Sequence, residues 1–325
     1  QKAIEFYSQA LPLLRALGDR SEEAKTLNYI GAIYWDLGEK QKAIEFYSQA
    51  LPLLRALGDR SEEAKTLNYI GAIYWDLGEK QKAIEFYSQA LPLLRALGNR
   101  GEEAKTLNSI GILYWDLGER QKALEFYNQA LPLSRAIGDK SEETRILNNI
   151  GQVYSDLGEK KKALDYFSQA LSLFRTLGNK SAEATTLNNI GKIYSDLGEQ
   201  QKALEYYQQA LPLYRATDNR TGVARSFNNI GAVYSSLGEQ QKALEYYQQA
   251  LPLFRTLKNR NGEATTLNNI GLQYSYLGEN RKALEYYQQA LPLLRTLGNK
   301  TVEAATLNNI GGVYSDLGEK QKALE

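Results

Sequence analysis

The sequence has no cysteine, no histidine and no methionine among its 325 residues. Without cysteine there are no disulfides and no thiolate metal sites. Without histidine or cysteine, the usual zinc ligand sets and histidine-based catalytic triads are excluded as well. No apolar run reaches the roughly 18 residues that a membrane-crossing helix needs. No signal or transit segment is visible, although a fragment would have lost one. Charge of one sign is also lacking: 39 Lys and Arg stand against 38 Asp and Glu, a formal net charge of +1. No global field therefore draws the chain to nucleic acid or to an anionic membrane. No glycine-rich loop suited to cradling phosphate occurs. Carboxylates are frequent, but they recur at periodic positions such as Glu22, Asp36 and Glu39, and many equal copies of a catalytic pair would serve no purpose. These absences predict a non-enzymatic chain with no cofactor and no metal; they name no compartment, and a cytoplasmic location is expected separately.

What is present is repetition. A 40-residue pattern recurs eight times, starting at 1, 41, 81, 121, 161, 201, 241 and 281. Residues 1–40 and 41–80 are identical, and the third copy follows them as far as Gly98. The expected organisation is one repeat array over 1–320, with 321–325 opening a ninth repeat. A period of this size means that each repeat buries its apolar faces against its neighbours.

Each repeat reads as two helices. Ala24, Leu27, Ile30, Gly31 and Tyr34 fall at three- and four-residue steps, predicting a first helix from about Ser21 to Leu37. Ser21 or Asp19 is placed to cap it, and Glu22 and Glu23 suit the positive end of its dipole. Gly38 is placed to end it. A second helix is predicted from about Glu39 to Leu57, burying Ala43, Ile44, Phe46, Tyr47, Ala50, Leu51 and Leu54. Gly18 and its equivalents end that helix, except where Asp218 and Lys258 take their place; a left-handed cap there should cost about 0.5–1 kcal/mol. Pro12, Pro52, Pro92, Pro132, Pro212, Pro252 and Pro292 fall inside second helices, with Ser172 in the fifth repeat. Such a proline implies a kink or a fresh helix start, and we expect the kink. Gly31 and its equivalents should let neighbouring helices approach closely.

The string LNNIGKIYSDLGEQQKALEYYQQAL (Leu187–Leu211) resembles a tetratricopeptide repeat. The pattern falls on Leu187, Ile190 with Gly191, Tyr194, Gly198, Ala203, Tyr207 and Ala210, and all eight repeats carry it. The period of 40 exceeds the family's usual length of about 34 residues. The second helix runs on through LPLLRALG, and the family's terminal proline is replaced by the internal one. In this the chain is similar to kinesin-light-chain-like repeats and to bacterial, notably cyanobacterial, arrays. The resemblance implies an all-α, right-handed superhelical solenoid of antiparallel helix pairs, with a concave groove that binds an extended peptide or protein segment.

If that geometry carries over, the groove is walled by positions 25, 28, 29, 32, 35 and 36 of the first repeat and their equivalents. Position 28 is always asparagine: Asn28, Asn68, Asn108, Asn148, Asn188, Asn228, Asn268 and Asn308. An amide offers a donor and an acceptor together, which suits a peptide backbone; it equally suits bonding a neighbouring helix. Trp35, Trp75 and Trp115 give way to serine in the later repeats, and Tyr29 and Tyr69 occupy position 29 in the first two. Lys25, Lys65, Lys105 and Arg145 form a basic row beside them. Aromatic anchors next to cations are the usual makings of a binding hot spot; packing between repeats and local pairing with glutamate are the alternatives. The same features would suit nucleic acid, but the row is short and the net charge neutral. Asn179-Lys180-Ser181, Asn219-Arg220-Thr221 and Asn299-Lys300-Thr301 match glycosylation acceptors, though the turn composition alone would produce them.

The chain opens on a second helix and closes on a first, which suggests a piece of a longer array. The alternative reading is self-assembly. Ala3, Ile4, Phe6 and Tyr7 at one end, and Leu307, Ile310 and Tyr314 at the other, would stack end to end into a filament, cytoplasmic or displayed on a surface.

Overall fold

The computed structural model describes residues 2–319 together with 321 and 323. The described residues form sixteen α-helices and no strand. They are α1 (Lys2–Leu17), α2 (Arg20–Asp36), α3 (Lys40–Leu57), α4 (Arg60–Asp76), α5 (Lys80–Ala96), α6 (Arg100–Asp116), α7 (Arg120–Ile137) and α8 (Lys140–Asp156). There follow α9 (Lys160–Thr176), α10 (Lys180–Asp196), α11 (Gln200–Ala216), α12 (Arg220–Ser236), α13 (Gln240–Thr256), α14 (Arg260–Tyr276), α15 (Asn280–Leu297) and α16 (Lys300–Asp316).

Local chemistry sets these boundaries. Asp19 caps α2: its Oδ1 accepts the Glu22 N–H at 3.1 Å, and Glu22 and Glu23 lie in the first turn. Asp59, Asn99 and Asp139 repeat the device. At the other end of α2, Gly38 adopts φ 77°, and the Glu39 N–H reaches back to the Tyr34 carbonyl at 2.9 Å. This is the left-handed reversal that glycine permits most easily. Asp218 and Lys258 take up the same reversal at φ 48° and 53°, so both joints do carry the left-handed strain expected of them. The second helices run unbroken through their prolines, as α3 does through Pro52, so no new helix starts there.

The chain divides into two compact units, Gln1–Tyr166 and Phe167–Glu325. In the first, successive helices pack against one another as antiparallel pairs. Ala43, Ile44, Tyr47 and Leu51 of α3 meet Leu67, Ile70 and Ile73 of α4 and Leu94 of α5 in one cluster. Gly31 is the point of closest approach between α2 and α3, where a Cβ would stand 3.0 Å from the Tyr47 ring. At Gly111 the same Cβ would stand only 2.5 Å from the Tyr127 ring. The second unit uses the same scheme: Ala243, Leu244, Tyr247 and Leu251 pack with Leu267, Ile270 and Leu294. Each unit is thus a stack of helix pairs in an all-α solenoid.

The residue four places before each second-helix reversal and the third residue of the following first helix lie eight positions apart, and in two repeats they come into close contact. Tyr214 and Phe254 stand opposite Gly222 and Gly262, where a Cβ would lie 2.3 or 2.4 Å from the ring, and Phe174 of the fifth repeat has Ala182 at the matching position. Where the first of the two is Leu54 or Leu94, the second is Glu62 or Glu102. In the fourth repeat the first is Ser134, and Glu142 folds inward to 2% exposure.

Candidate functional site

The asparagine row lies on the first helices, where six of the amides bond the next first helix of their own unit. In the N-terminal unit, Asn28 Nδ2 donates to Thr66 Oγ1 at 2.9 Å, and Asn68 Nδ2 to Thr106 Oγ1 at 3.0 Å. In the C-terminal unit, Thr266 donates to Asn228 Oδ1 at 3.1 Å and Thr306 to Asn268 Oδ1 at 2.8 Å. Asn188 Oδ1 takes a bond from Asn229 at 3.1 Å. Asn148 is half-buried and Asn308 is exposed. The threonine partners were not singled out from sequence. Their signal was available, since Thr26 and its equivalents recur two residues before the asparagine in six repeats, with Ser226 in a seventh.

The exception explains itself. Ile146 stands where threonine is expected, so Asn108 turns elsewhere: its Nδ2 donates to Glu142 Oε1 at 2.8 Å, and its Oδ1 accepts from Asn149 at 3.0 Å. Burial raises the Glu142 carboxyl above its ordinary value, opposed by Arg145, whose Nη2 lies 2.5 Å from Oε2, and by the Asn108 bond. The carbonyl oxygens of Asn28 and Asn68 are shielded from solvent and have no hydrogen-bond partner.

The basic row is neutralised where it stands. Lys25, Lys65 and Lys105 lie 2.7, 2.7 and 2.8 Å from Glu22, Glu62 and Glu102 on the preceding turn. The hydrogen bond to its glutamate raises each lysine's pKa. The tryptophans are half-buried and bind forward: Trp35 Nε1 donates to Asp76 at 3.3 Å and Trp115 Nε1 to Asp156 at 2.7 Å. Arg120 lies over the Trp115 ring, 5.5 Å from its centroid, and pairs with Asp156 at 3.1 Å. Trp75 is also half-buried. Among the aromatic candidates, Tyr29 and Tyr69 stay open at 53% and 42% exposure. Tyr29 stacks on Tyr7 at 5.6 Å and Tyr69 on Tyr47 at 5.5 Å, so each presents a rigid, partly apolar face. Lys25, Asn28, Tyr29, Asp59, Ser61 and Glu62 enclose a cleft of about 390 Å³. A rigid ring beside paired charges of both signs can take an apolar side chain with polar contacts at its rim.

Of the end residues, Phe6 is 68% and Leu307 43% exposed. Ala3 is exposed, while Ile4, Tyr7, Ile310 and Tyr314 are half-buried. Ile310 packs on Ala283, Tyr287 and Val313. Asn179, Asn219 and Asn299, the possible glycosylation acceptors, each cap a helix, accepting from Ala182, Gly222 and Val302. No helix of the described residues is long and apolar enough to cross a membrane. Among them, no group of three acidic side chains is placed to hold a metal ion.

The chain matches the tetratricopeptide repeat family over residues 1–56, 62–136, 102–176, 142–216, 183–256 and 262–325. No curated protein matches it. Several solved structures share its fold. The apo form of the quorum sensor NprR from B. thuringiensis aligns with a TM-score of 0.67 at 18% identity, covering 99% of this chain and 95% of that one. The STAND ATPase PH0952 from Pyrococcus horikoshii, with its tetratricopeptide repeat sensor, aligns at 0.70 and 17% identity. There the match covers 99% of this chain and 52% of that one. BtubC (BKLC) from P. vanneervenii aligns at 0.58 and 22% identity, covering 67% of this chain and 92% of that one.

Proposed function

The chain belongs to the tetratricopeptide repeat family, and from that premise we propose that it is a non-catalytic scaffold binding an extended peptide or protein segment along its first helices. The family is one of protein-interaction scaffolds. The finer reading rests above all on Tyr29 and Tyr69, large rings left open on that face while being held rigid by stacking. Rigid aromatic anchors give contact area at little entropic cost, and they dominate interface energetics. The Lys–Glu pairs at 25/22, 65/62 and 105/102 form a polar rim that selects the register of a bound segment. The asparagines contribute by holding adjacent pairs together, and Trp35 and Trp115 do the same through Asp76 and Asp156.

The experiment is selection of a displayed random-peptide library on the whole chain, followed by affinity measurement on the double variant Tyr29→Ala/Tyr69→Ala. Tyr276→Ala, an exposed tyrosine of the other unit at 60% exposure, is the control. Enriched peptides should lose at least about tenfold in affinity on the double variant and nothing on the control, with helicity unchanged. Failure to enrich any peptide, or equal binding by all three proteins, overturns the reading.

A further inference from the structure

Seven repeats close their second reversal with the same ion pair. Arg15, Arg55, Arg95, Arg135, Arg175, Arg255 and Arg295 each present Nε to a glutamate eight residues on, at 2.7–3.2 Å. The sixth repeat keeps the arginine, Arg215, but has Val223 in place of the glutamate. Arg55, Arg95, Arg175 and Arg255 are among those that also reach a glutamine of the next second helix, as Arg255 reaches Gln289 at 3.1 Å. Among the described residues Arg215 has neither bond. Its guanidinium lies over the Phe227 ring, 5.6 Å from the centroid, which satisfies the charge but none of its five donors.

The surroundings are altered in the same direction. From Tyr214 to Phe227 the chain carries Arg215, Arg220 and Arg225 against Asp218 alone. The matching stretch of the first repeat sets Arg15, Arg20 and Lys25 against Asp19, Glu22 and Glu23. Gly222 also removes the carboxylate that in the first four repeats pairs with position 25. Asp218 replaces the glycine of the reversal at φ 48° and holds Arg220 at 3.3 Å. Between these groups lies a cavity of about 230 Å³, lined by Tyr214, Arg215, Asp218, Arg220, Val223 and Leu253. Its lining joins the apolar groups of Tyr214, Val223 and Leu253 to two guanidinium groups and one carboxylate, and its volume has room for one side chain.

We propose that this cavity binds a glutamate or aspartate side chain of a partner polypeptide, which supplies in trans the carboxylate that the other seven repeats supply in cis. The Nε–H of Arg215 can donate to a carboxylate in the geometry its seven equivalents already display, and Arg220, whose Nε pairs with Asp218, offers its terminal N–H groups. Apolar residues flanking the acid pack on Val223 and Leu253. The site shares with the Tyr29–Tyr69 reading only the premise of a polypeptide partner, and it lies in the other unit.

The test follows the arginine Nε–H resonances of the ¹⁵N-labelled chain, with the Arg215 signal identified by its loss in Arg215→Lys. The probes are acetyl-Leu-Glu-Leu-amide, its Gln counterpart and inorganic phosphate. The Glu peptide should shift the Arg215 signal and bind at least about tenfold more tightly than the Gln peptide. Val223→Glu, which restores the internal partner, should abolish that response. Tyr29→Ala/Tyr69→Ala should leave it intact, so that the failure of one site is told apart from the failure of the other. Equal response to both peptides, a response surviving Val223→Glu, or preference for phosphate over the Glu peptide overturns the proposal.

Discussion

Replacing Thr66 by valine isolates the bond that joins one helix pair to the next. Thr66 is fully buried, and its hydroxyl accepts from Asn28 Nδ2 at 2.9 Å while donating to the Glu62 carbonyl at 2.8 Å. Valine keeps the shape and deletes the oxygen. The Glu62 carbonyl retains its helical partner, so the loss falls on Asn28, whose own Oδ1 is already without a bond. A buried amide donor left unpaired costs about 1–3 kcal/mol. Asn28 is only half-buried, which favours the lower half of that range, and the added methyl returns at most about 0.8 kcal/mol. The single substitution should therefore destabilise the joint by about 1 kcal/mol. In an Asn28→Ala background no donor remains to be stranded, and the same substitution should be neutral or slightly stabilising. The coupling across the cycle is then about 1–2 kcal/mol. Repeat arrays do not unfold as one cooperative block, so the measurement is native-state hydrogen exchange of the α2 and α4 amides in all four proteins. A coupling below about 0.3 kcal/mol, the range of ordinary additivity, would refute the assignment of the amide row to inter-pair joints.

Gly222→Ala brings a Cβ to within 2.3 Å of the Tyr214 ring and should destabilise by about 1–3 kcal/mol despite alanine's better helix propensity. Gly101→Ala meets nothing nearer than Ile137 at 3.6 Å and should stabilise by about 0.5–1 kcal/mol; native-state hydrogen exchange of the substituted helices, if it gave the same sign for both variants, would contradict the contact geometry. Lys258→Gly relieves a positive φ and should raise local stability by about 1 kcal/mol in the same assay, unchanged exchange of the flanking helices counting against strain at that joint. Burial raises the folded-state pKa of Glu142, so the charged form is disfavoured in the fold. Its contribution is fully present below the ordinary carboxyl value and is lost as pH rises through the raised one. Measured from pH 4 to 7, Glu142→Gln should gain on the native chain as pH rises; a flat or opposite difference sinks this account.

Much of the fold was legible because it rests on local rules. Period, helix pairing, the Asp19 cap and the Gly38 reversal all follow from residues within a few positions of one another. The close approach at Gly31 was legible too, since a glycine on an apolar helix face has few other uses. The site was less so. Whether Lys25 serves a ligand or Glu22, and whether Asn28 grips a peptide or a helix, depends on which groups lie near in space. Thr66 is 38 residues from Asn28, and Asp76 is 41 from Trp35. One-repeat spacings of this kind become visible only when the position 26 threonine is read against the position 28 asparagine of the previous copy. The fourth repeat, with Ser134, Glu142 and Ile146 changed together, shows the same dependence from the other side. No one of those residues predicts the buried carboxylate; the space left by Ser134 and the partner lost at Ile146 do so jointly.

The size-matched contacts at the second reversal decide how such a chain can lengthen or shorten. Tyr214 with Gly222, Phe254 with Gly262, and Ser134 with Glu142 each straddle the reversal at Gly138 or its equivalent, eight residues apart. A genetic crossover falling there would join a bulky ring to a glutamate, or a serine to a glycine, leaving a clash or a hole. A crossover at the other reversal, near Gly38 and its equivalents, keeps each matched couple on one side of the cut. Gains and losses of whole 40-residue blocks are therefore tolerated in one reading frame and penalised in the frame displaced by half a repeat. The first two blocks, identical and both of the leucine–glutamate type, exchange freely in either frame. The sixth and seventh, both of the ring–glycine type, can trade halves with each other, whereas the fourth, with its serine and inward-folded glutamate, matches no other block.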